Sequence, residues 1–254
     1  MKKQLLFIFA ISLALFSCQK EDKNHDAANE NGNAATDEKA SSDRSIDATS
    51  AIMDVLGTYT GMFGKNKITI GIQGLEANGE VKGFSVVAGN NRPFAGKYEK
   101  KGEAYAFSVK EPGNDKYDGE FEFSIPEGHQ NLVGKWNPFH KGVVPEKTYN
   151  LAKRAFKYET KEGQYAFASE SVLNIPDIEN MTKTDLRMMR NEMYARHGYS
   201  FKMKDMRTYF ESQDWYMPMN TDVRNMLTPV EKKNEELIKR YEKYAQEYYD
   251  EYGR

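Results

Sequence analysis

The chain has 254 residues, with 36 Lys and Arg against 38 Asp and Glu, a formal net charge of −2 and a single cysteine. That balance, with no basic block, excludes an electrostatic footprint for nucleic acid, and one cysteine excludes a disulfide within one molecule. No nucleophile elbow, phosphate loop, dinucleotide fingerprint or metal-spaced His/Cys cluster is present, so nothing points to catalysis, a cofactor or a metal.

Residues 1–17 read as a signal peptide. Lys2 and Lys3 precede the apolar run Leu5 to Phe16, which is too short to span a bilayer and suits a secretory signal. Leu15 and Ser17, three and one residues before Cys18, resemble the lipobox of bacterial lipoproteins. That resemblance implies cleavage before Cys18 and a lipid anchor with palmitate-type acyl chains, stable once two or more chains are buried. An ordinary secretory signal with an incidental cysteine is the alternative. Gln19-Lys20-Glu21-Asp22 resembles the export signal that places lipoproteins of one Gram-negative group on the outer face of the outer membrane. An anchor facing the periplasm is the competing reading.

Residues 18–50 are expected to form the anchored tether. The stretch from Gln19 to Ser50 contains no aromatic residue, and Ile46 is its only large aliphatic. It cannot bury enough apolar surface to offset its chain entropy, so disorder is expected. A flexible coil of this length spans roughly 30 Å on average, and up to about 110 Å when fully extended. His25 lies in this tract and carries no functional reading. Loss of Lys2 and Lys3 with the signal takes the formal charge from −2 to −4.

Residues 51–158 change to short alternating runs broken by Gly, Asn and Pro. Strands are predicted at Gly57–Phe63, Lys67–Gln73, Glu80–Ala88, Phe94–Lys100, Ala104–Lys110, Gly119–Ile125, Asn131–Trp136 and Thr148–Lys153. Ile68, Ile70 and Ile72 share one face, as do Tyr105, Phe107 and Val109, and Phe121, Phe123 and Ile125; period-two alternation marks strands with one buried side. Asn78-Gly79, Gly89-Asn90-Asn91, Lys101-Gly102 and Pro112-Gly113 fit the turns. The fold class expected is an all-β antiparallel meander, barrel-like, since closure removes exposed edges; an open sandwich is the alternative. The region resembles lipocalin-type barrels in architecture alone. Its inward aromatics either fill the interior or line a ligand cavity. Recurrent Gly-aromatic pairs, such as Gly96-Lys97-Tyr98 and Gly134-Lys135-Trp136, suggest bends or close backbone approach. His129, His140 and Glu127 do not make a convincing metal site.

Residues 165–250 turn helical. Thr182 and Asp185 have the form of a capping box, followed by Leu186, Met189, Met193 and His197 at helical spacing and by Gly198 as a left-handed stop. Glu192 and Arg196 are four apart and are expected to pair on the helix surface. A second helix is predicted over Lys204 to Glu211. Thr228-Pro229-Val230-Glu231 opens a third, running to about Tyr248 with Leu237, Tyr241, Tyr244 and Tyr248 on one stripe.

Tyr194-Ala195-Arg196-His197-Gly198 reads YARHG, and the chain from roughly Ala168 to Tyr244 resembles the YARHG domain family. Arg190-Asn191-Glu192, Tyr199-Ser200-Phe201, Tyr209-Phe210 and Trp215-Tyr216 add to the resemblance in order. The helical spacing predicts a small all-α domain here, and the resemblance implies a setting in secreted or envelope proteins and carries no catalytic residues over. Arg190, Asn191, Tyr194, Arg196, His197, Trp215 and Tyr216 are the candidate ligand-binding residues. His197 has three readings: a structural residue capping the helix end, a partner-binding residue, or an acid–base tuned by Glu192 or Arg196. Arg190, Asn191 and Arg196 are expected to join the first helix to the aromatic turn. Trp215 and Tyr216 are either core or a platform for a sugar ring.

Together these features describe a lipid-anchored envelope protein, cell-surface exposed and non-catalytic, that binds a glycan, peptidoglycan or protein ligand. A cell-wall or glycan hydrolase is the alternative and requires two converging carboxylates. A small apolar-ligand carrier is another, and it requires a cavity of roughly 300 Å³ or more in the barrel.

Overall fold

Alternation of apolar and polar residues from Gly57 to Lys153 produces eight strands in the computed structural model, which describes residues 53–248. The expected signal peptide, Cys18 and the tether lie outside these residues. The strands are β1 (Gly57–Phe63), β2 (Asn66–Leu75), β3 (Glu80–Val87), β4 (Asn90–Lys101), β5 (Ala104–Lys110), β6 (Gly119–Ile125), β7 (Asn131–Pro138) and β8 (Lys147–Lys153). Each pairs antiparallel with the next, and β1 closes onto β8 through Tyr59 opposite Lys153 and Thr60 opposite Ala152. The result is a closed eight-stranded barrel rather than an open sandwich.

The predicted inward faces are the inward faces. Ile68, Ile70, Tyr105, Val109, Phe121 and Ile125 all belong to one buried cluster. Each such side chain contributes roughly 1.5–3 kcal/mol on burial. The rings interlock: Phe107 stacks on Phe123 with centroids 4.7 Å apart, and Phe63 meets Trp136 edge-on at 5.9 Å. Ile70, Val109, Ile125, Leu132 and Leu151 have no accessible surface at all. The inward side chains of this cluster are all at most 5 % exposed and pack against one another, so the interior is filled by its own side chains. The recurrent glycines serve close approach. A Cβ on Gly96 would sit 2.0 Å from the Ser108 carbonyl oxygen, and one on Gly134 would sit 2.3 Å from that of Glu122.

Among the described residues five helices follow the barrel: α1 (Phe167–Glu170), α2 (Ile175–Ile178), α3 (Lys183–Arg196), α4 (Lys204–Glu211) and α5 (Pro229–Tyr248). The first two are single turns too short to carry a periodic signal. Thr182 caps α3, its hydroxyl accepting the Asp185 amide at 3.2 Å, and Gly198 ends the helix with φ +72°. At α5 the capping box is reciprocal: the Thr228 amide donates to Glu231 Oε2 at 2.9 Å and the Glu231 amide to Thr228 Oγ1 at 3.2 Å. α3 packs on α5 through Leu186, Met189, Met193 and Ile238. The buried stripe of α5 is Glu231, Asn234, Ile238 and Ala245, not the tyrosine row expected; Tyr241 is half-buried and Tyr244 is exposed. The predicted row runs along the edge of that face: Leu237 and Tyr241 are half-buried and pack on the same cluster, while two polar residues take its centre.

The helical part is seated against the barrel wall. Thr69 and Val86 point outward from β2 and β3 yet have no accessible surface. α4 lies against β2. Lys67 Nζ donates to the carbonyls of Gln213 (2.8 Å) and Tyr216 (3.2 Å), and the Gly89 amide donates to Ser200 Oγ at 2.9 Å. Arg154 joins three pieces. Its amide donates to the Thr58 carbonyl at 2.9 Å, while its guanidinium reaches the carbonyls of Asp214 (2.7 Å) and Trp215 (2.9 Å).

Candidate functional site

Two polar assemblies occupy the helical part, one sealed and one open. The sealed one is centred on α3. Glu192 has no exposed side-chain surface and accepts the amides of Gln164 (2.8 Å) and Tyr165 (2.6 Å) as well as the Arg196 guanidinium. Arg196, equally buried, also donates to the Glu162 carbonyl at 2.8 Å and to Ser169 Oγ at 2.9 Å. Ser169 in turn donates a hydrogen bond from its hydroxyl to Glu231 Oε1 at 2.6 Å. His197 Nε2 lies 2.6 Å from Glu231 Oε2, and Tyr158 stacks on the imidazole with ring centroids 4.4 Å apart while donating to Glu231 Oε1 at 3.1 Å. Burial pushes the Glu231 carboxyl up, but the bonds from His197, Ser169 and the Thr228 amide outweigh it and hold it below the usual carboxylate range.

This arrangement corrects several expectations. Glu192 and Arg196 pair in the interior, not on the helix surface. His197 does not cap the last carbonyls of α3; its ring turns to Glu231 on α5. Arg196 does not reach the aromatic turn, Arg190 pairs with Glu242 on α5 (2.7 and 3.1 Å), and Asn191 bonds back to the Arg187 carbonyl at 2.7 Å. Buried, fully bonded charges of this kind fix a conformation. A general acid or base must reach a substrate proton, and His197 at 4 % exposure with its ring committed on both face and edge offers no approach.

The open assembly lies beside it. A cleft of about 430 Å³ is bounded by α3 (Arg190, Asn191, Tyr194), by Tyr199, Phe201, Lys202 and Met203, by Thr221–Arg224 and by Glu235 and Lys239 of α5. That volume falls within the range of small-ligand clefts. The Tyr194 hydroxyl donates to Glu235, which Lys239 also contacts at 2.8 Å. Burial and then the Glu235 carboxylate push the Tyr194 phenol up to about 12. Tyr194 and Tyr199 meet edge-on at 6.1 Å. The wall is held by backbone pairing: the amides of Met219 and Asn220 donate to the Gly198 carbonyl, and the Ser200 amide donates to that of Asn220.

Residues 158–243 match the YARHG domain. The YARHG segment therefore contains both assemblies, and its start coincides with Tyr158, the residue stacked on His197. The match begins ten residues before the resemblance read from the sequence, and those residues supply Tyr158, Glu162 and the Gln164 and Tyr165 amides to the sealed network. No curated protein matches the chain.

Of the seven candidate residues, Arg190, Asn191 and Tyr194 line the open cleft. Arg196 and Trp215 border a smaller one of about 260 Å³, next to the Arg154–Lys157 run. His197 lines neither. Tyr216 is 1 % exposed, its hydroxyl donating to the Tyr199 carbonyl at 2.7 Å, so it is core and not a stacking platform. Trp215 is half-buried. Sequence reasoning missed Lys202, Arg224, Glu235 and Lys239 as cleft residues. Only the helical spacing of Glu235 and Lys239 hinted at them. Among the described residues, no three His, Cys, Asp or Glu side chains gather as a metal site would require.

The barrel holds two buried carboxylates worth comparing with the hydrolase alternative. Glu111 is 6 % exposed and accepts from Ser85 Oγ (2.9 Å), the Gly119 amide (3.2 Å) and Trp136 Nε1 (3.3 Å). Burial pushes its carboxyl up. Asp118 nearby is 2 % exposed and paired with Arg92. Both carboxylates are enclosed by their own partners, so a glycosidic bond has no path between them.

Proposed function

We propose that the chain is a non-catalytic binding protein of the bacterial envelope, anchored through lipidated Cys18, exposed at the outer membrane surface, and engaging its ligand in the YARHG cleft. The observation that carries this reading is the contrast between the two assemblies. Arg196 and His197 of the YARHG motif are consumed in a sealed network, whereas Tyr194 lines the adjoining cleft, which is open to solvent. A site without an accessible acid–base pair but with an open, mixed aromatic and charged lining suits recognition rather than bond cleavage. The filled barrel supports a scaffold in preference to a carrier. The lipobox-like run before Cys18 and the lysine-acidic run after it support the address.

Three measurements test it. Cys18→Ser should abolish acyl labelling and release the chain from the membrane fraction. Protease added to whole cells should remove the wild-type chain if it faces outward. The triple variant Lys202→Ala, Arg224→Ala, Lys239→Ala, purified and folded, should bind isolated cell envelopes more weakly than wild type. Retained acylation without Cys18, or unchanged envelope binding by the triple variant, overturns the corresponding half of the proposal.

A further inference from the structure

We infer that the YARHG cleft takes an acidic sugar: a ring carrying a carboxylate or phosphate, presented as part of a glycan. The inference rests on the cleft being the binding site and names the chemistry of its ligand. Four cations line the cleft (Arg190, Lys202, Arg224 and Lys239) against two carboxylates, Asp222 and Glu235. The chain as a whole is net acidic, so a lining with a cationic surplus runs against its composition. Arg190 is committed to Glu242 and is 19 % exposed. Lys202 has no ion-pair partner among the described residues, and Lys239 remains 54 % exposed while touching Glu235. Arg224 is held at the rim by Asp222, whose carboxyl the Arg224 bonds pull down to about 2. Three of these cations thus already hold a carboxylate partner, and Lys202 supplies the unpaired positive charge that an anion entering here would meet, with the exposed Lys239 ammonium and the rim-held Arg224 guanidinium beside it.

The rest of the lining selects among anions. Tyr194 and Tyr199 present aromatic surface beside those cations, and rings of this kind suit the C–H faces of a sugar, with the phenol as a polar handle. Glu235 and Asp222 are acceptors, which suit hydroxyl donors. An acidic peptide carries few hydroxyls for these acceptors and brings a run of carboxylates rather than one. A free phosphate needs neither rings nor 430 Å³. Hydroxyls, an apolar ring face and one negative substituent together match what the cleft presents.

The test is titration of the full mature chain, in detergent, with trigalacturonate and glucose 1-phosphate as the two acidic probes. A neutral galactose trisaccharide and poly-L-glutamate serve as comparators. Binding of at least one acidic sugar is expected, weakening as NaCl is raised. Lys202→Ala with Arg224→Ala should raise its Kd about tenfold, or ~1.4 kcal/mol. Equal binding of the neutral trisaccharide, or of poly-L-glutamate, overturns the ligand class. So does failure of both acidic probes while the triple variant still loses envelope binding; in that case the cleft remains the site and its ligand is of another kind. Failure in both assays removes the cleft itself.

Discussion

His197 and Glu231 lie 34 positions apart in the chain, with Nε2 and Oε2 separated by 2.6 Å and both side chains shut off from solvent. The same carboxylate caps α5, accepts from Ser169 and accepts from Tyr158. It ties the end of α3, the start of α5 and the segment before α1 into one unit.

Removing it should therefore be costly. Glu231→Ala leaves His197, Ser169 and Tyr158 without their acceptor, and loss of one partner from a buried pair costs about 3–5 kcal/mol. Urea unfolding at neutral pH measures this. The folded-state carboxyl is held below its ordinary value, so its contribution is present above the unfolded value near 4.5 and disappears as pH falls through the folded value. Wild type should lose stability more steeply than Glu231→Gln on acidification below about pH 4.5. Parallel acid limbs would show that the carboxylate is not charged in its network.

Gly163 is a second point of dependence on a buried carboxylate. It has φ +91°, and a Cβ there would lie 2.3 Å from Glu192 Cδ. Gly163→Ala combines backbone strain with displacement of the group that binds Gln164, Tyr165 and Arg196, and is expected to cost roughly 3 kcal/mol. A thermal midpoint unchanged from wild type would show that this turn is not pressed against Glu192.

Glu211 at the end of α4 is expected to behave in the opposite sense to Glu231. It is 9 % exposed, and burial pushes its carboxyl up to about 7, opposed by the Lys67 amide and the charges of Arg207 and Lys67. A carboxyl raised in the folded state favours folding below its unfolded value near 4.5, and that advantage is lost as pH rises through about 7. Glu211→Gln should be close to neutral at pH 5 and stabilising at pH 8, by an amount on the order of 2–3 kcal/mol. Equal effects at both pH values in denaturant titrations would exclude the burial argument.

The seam between barrel and helices depends on two cations. Lys67, whose ammonium is pulled down first by burial and then by the neighbouring Arg154 charge, and Arg154 together make four bonds to the carbonyls of 213–216. The double variant Lys67→Ala, Arg154→Ala should convert a single calorimetric unfolding transition into two, one for each part. A single transition in the variant would mean that apolar contacts around Thr69 and Val86 alone couple the parts.

The strands were legible because one buried face imposes a period of two over Ile68–Ile72, Tyr105–Val109 and Phe121–Ile125, and the observed strands begin or end within a few residues of those expected. Closure was less legible, since nothing local in Tyr59 or Lys153 announces that they are partners. The charged residues of the YARHG motif were the hardest to read. Glu192 and Arg196 at four-residue spacing look like a solvated pair, and only the three-dimensional return of Glu162–Tyr165 and of α5 turns them inward. The cleft shared that difficulty: Lys202, Arg224 and Lys239 come from three separate segments, and no single stretch of sequence contains their convergence.

Arg154 gives the molecule a short mechanical circuit. The chain enters the barrel at β1 and leaves it at β8, and these ends are neighbours, joined by the Arg154 amide to Thr58 and by Lys153 to the Asp54 carbonyl. The Arg154 guanidinium continues directly into Asp214 and Trp215. Tension between the N-terminal segment and anything gripped by the helical part would pass through this corner and bypass the other six strands. The barrel would then stay unloaded while the corner alone bore the force, so the first rupture under pulling would fall at Thr58–Arg154.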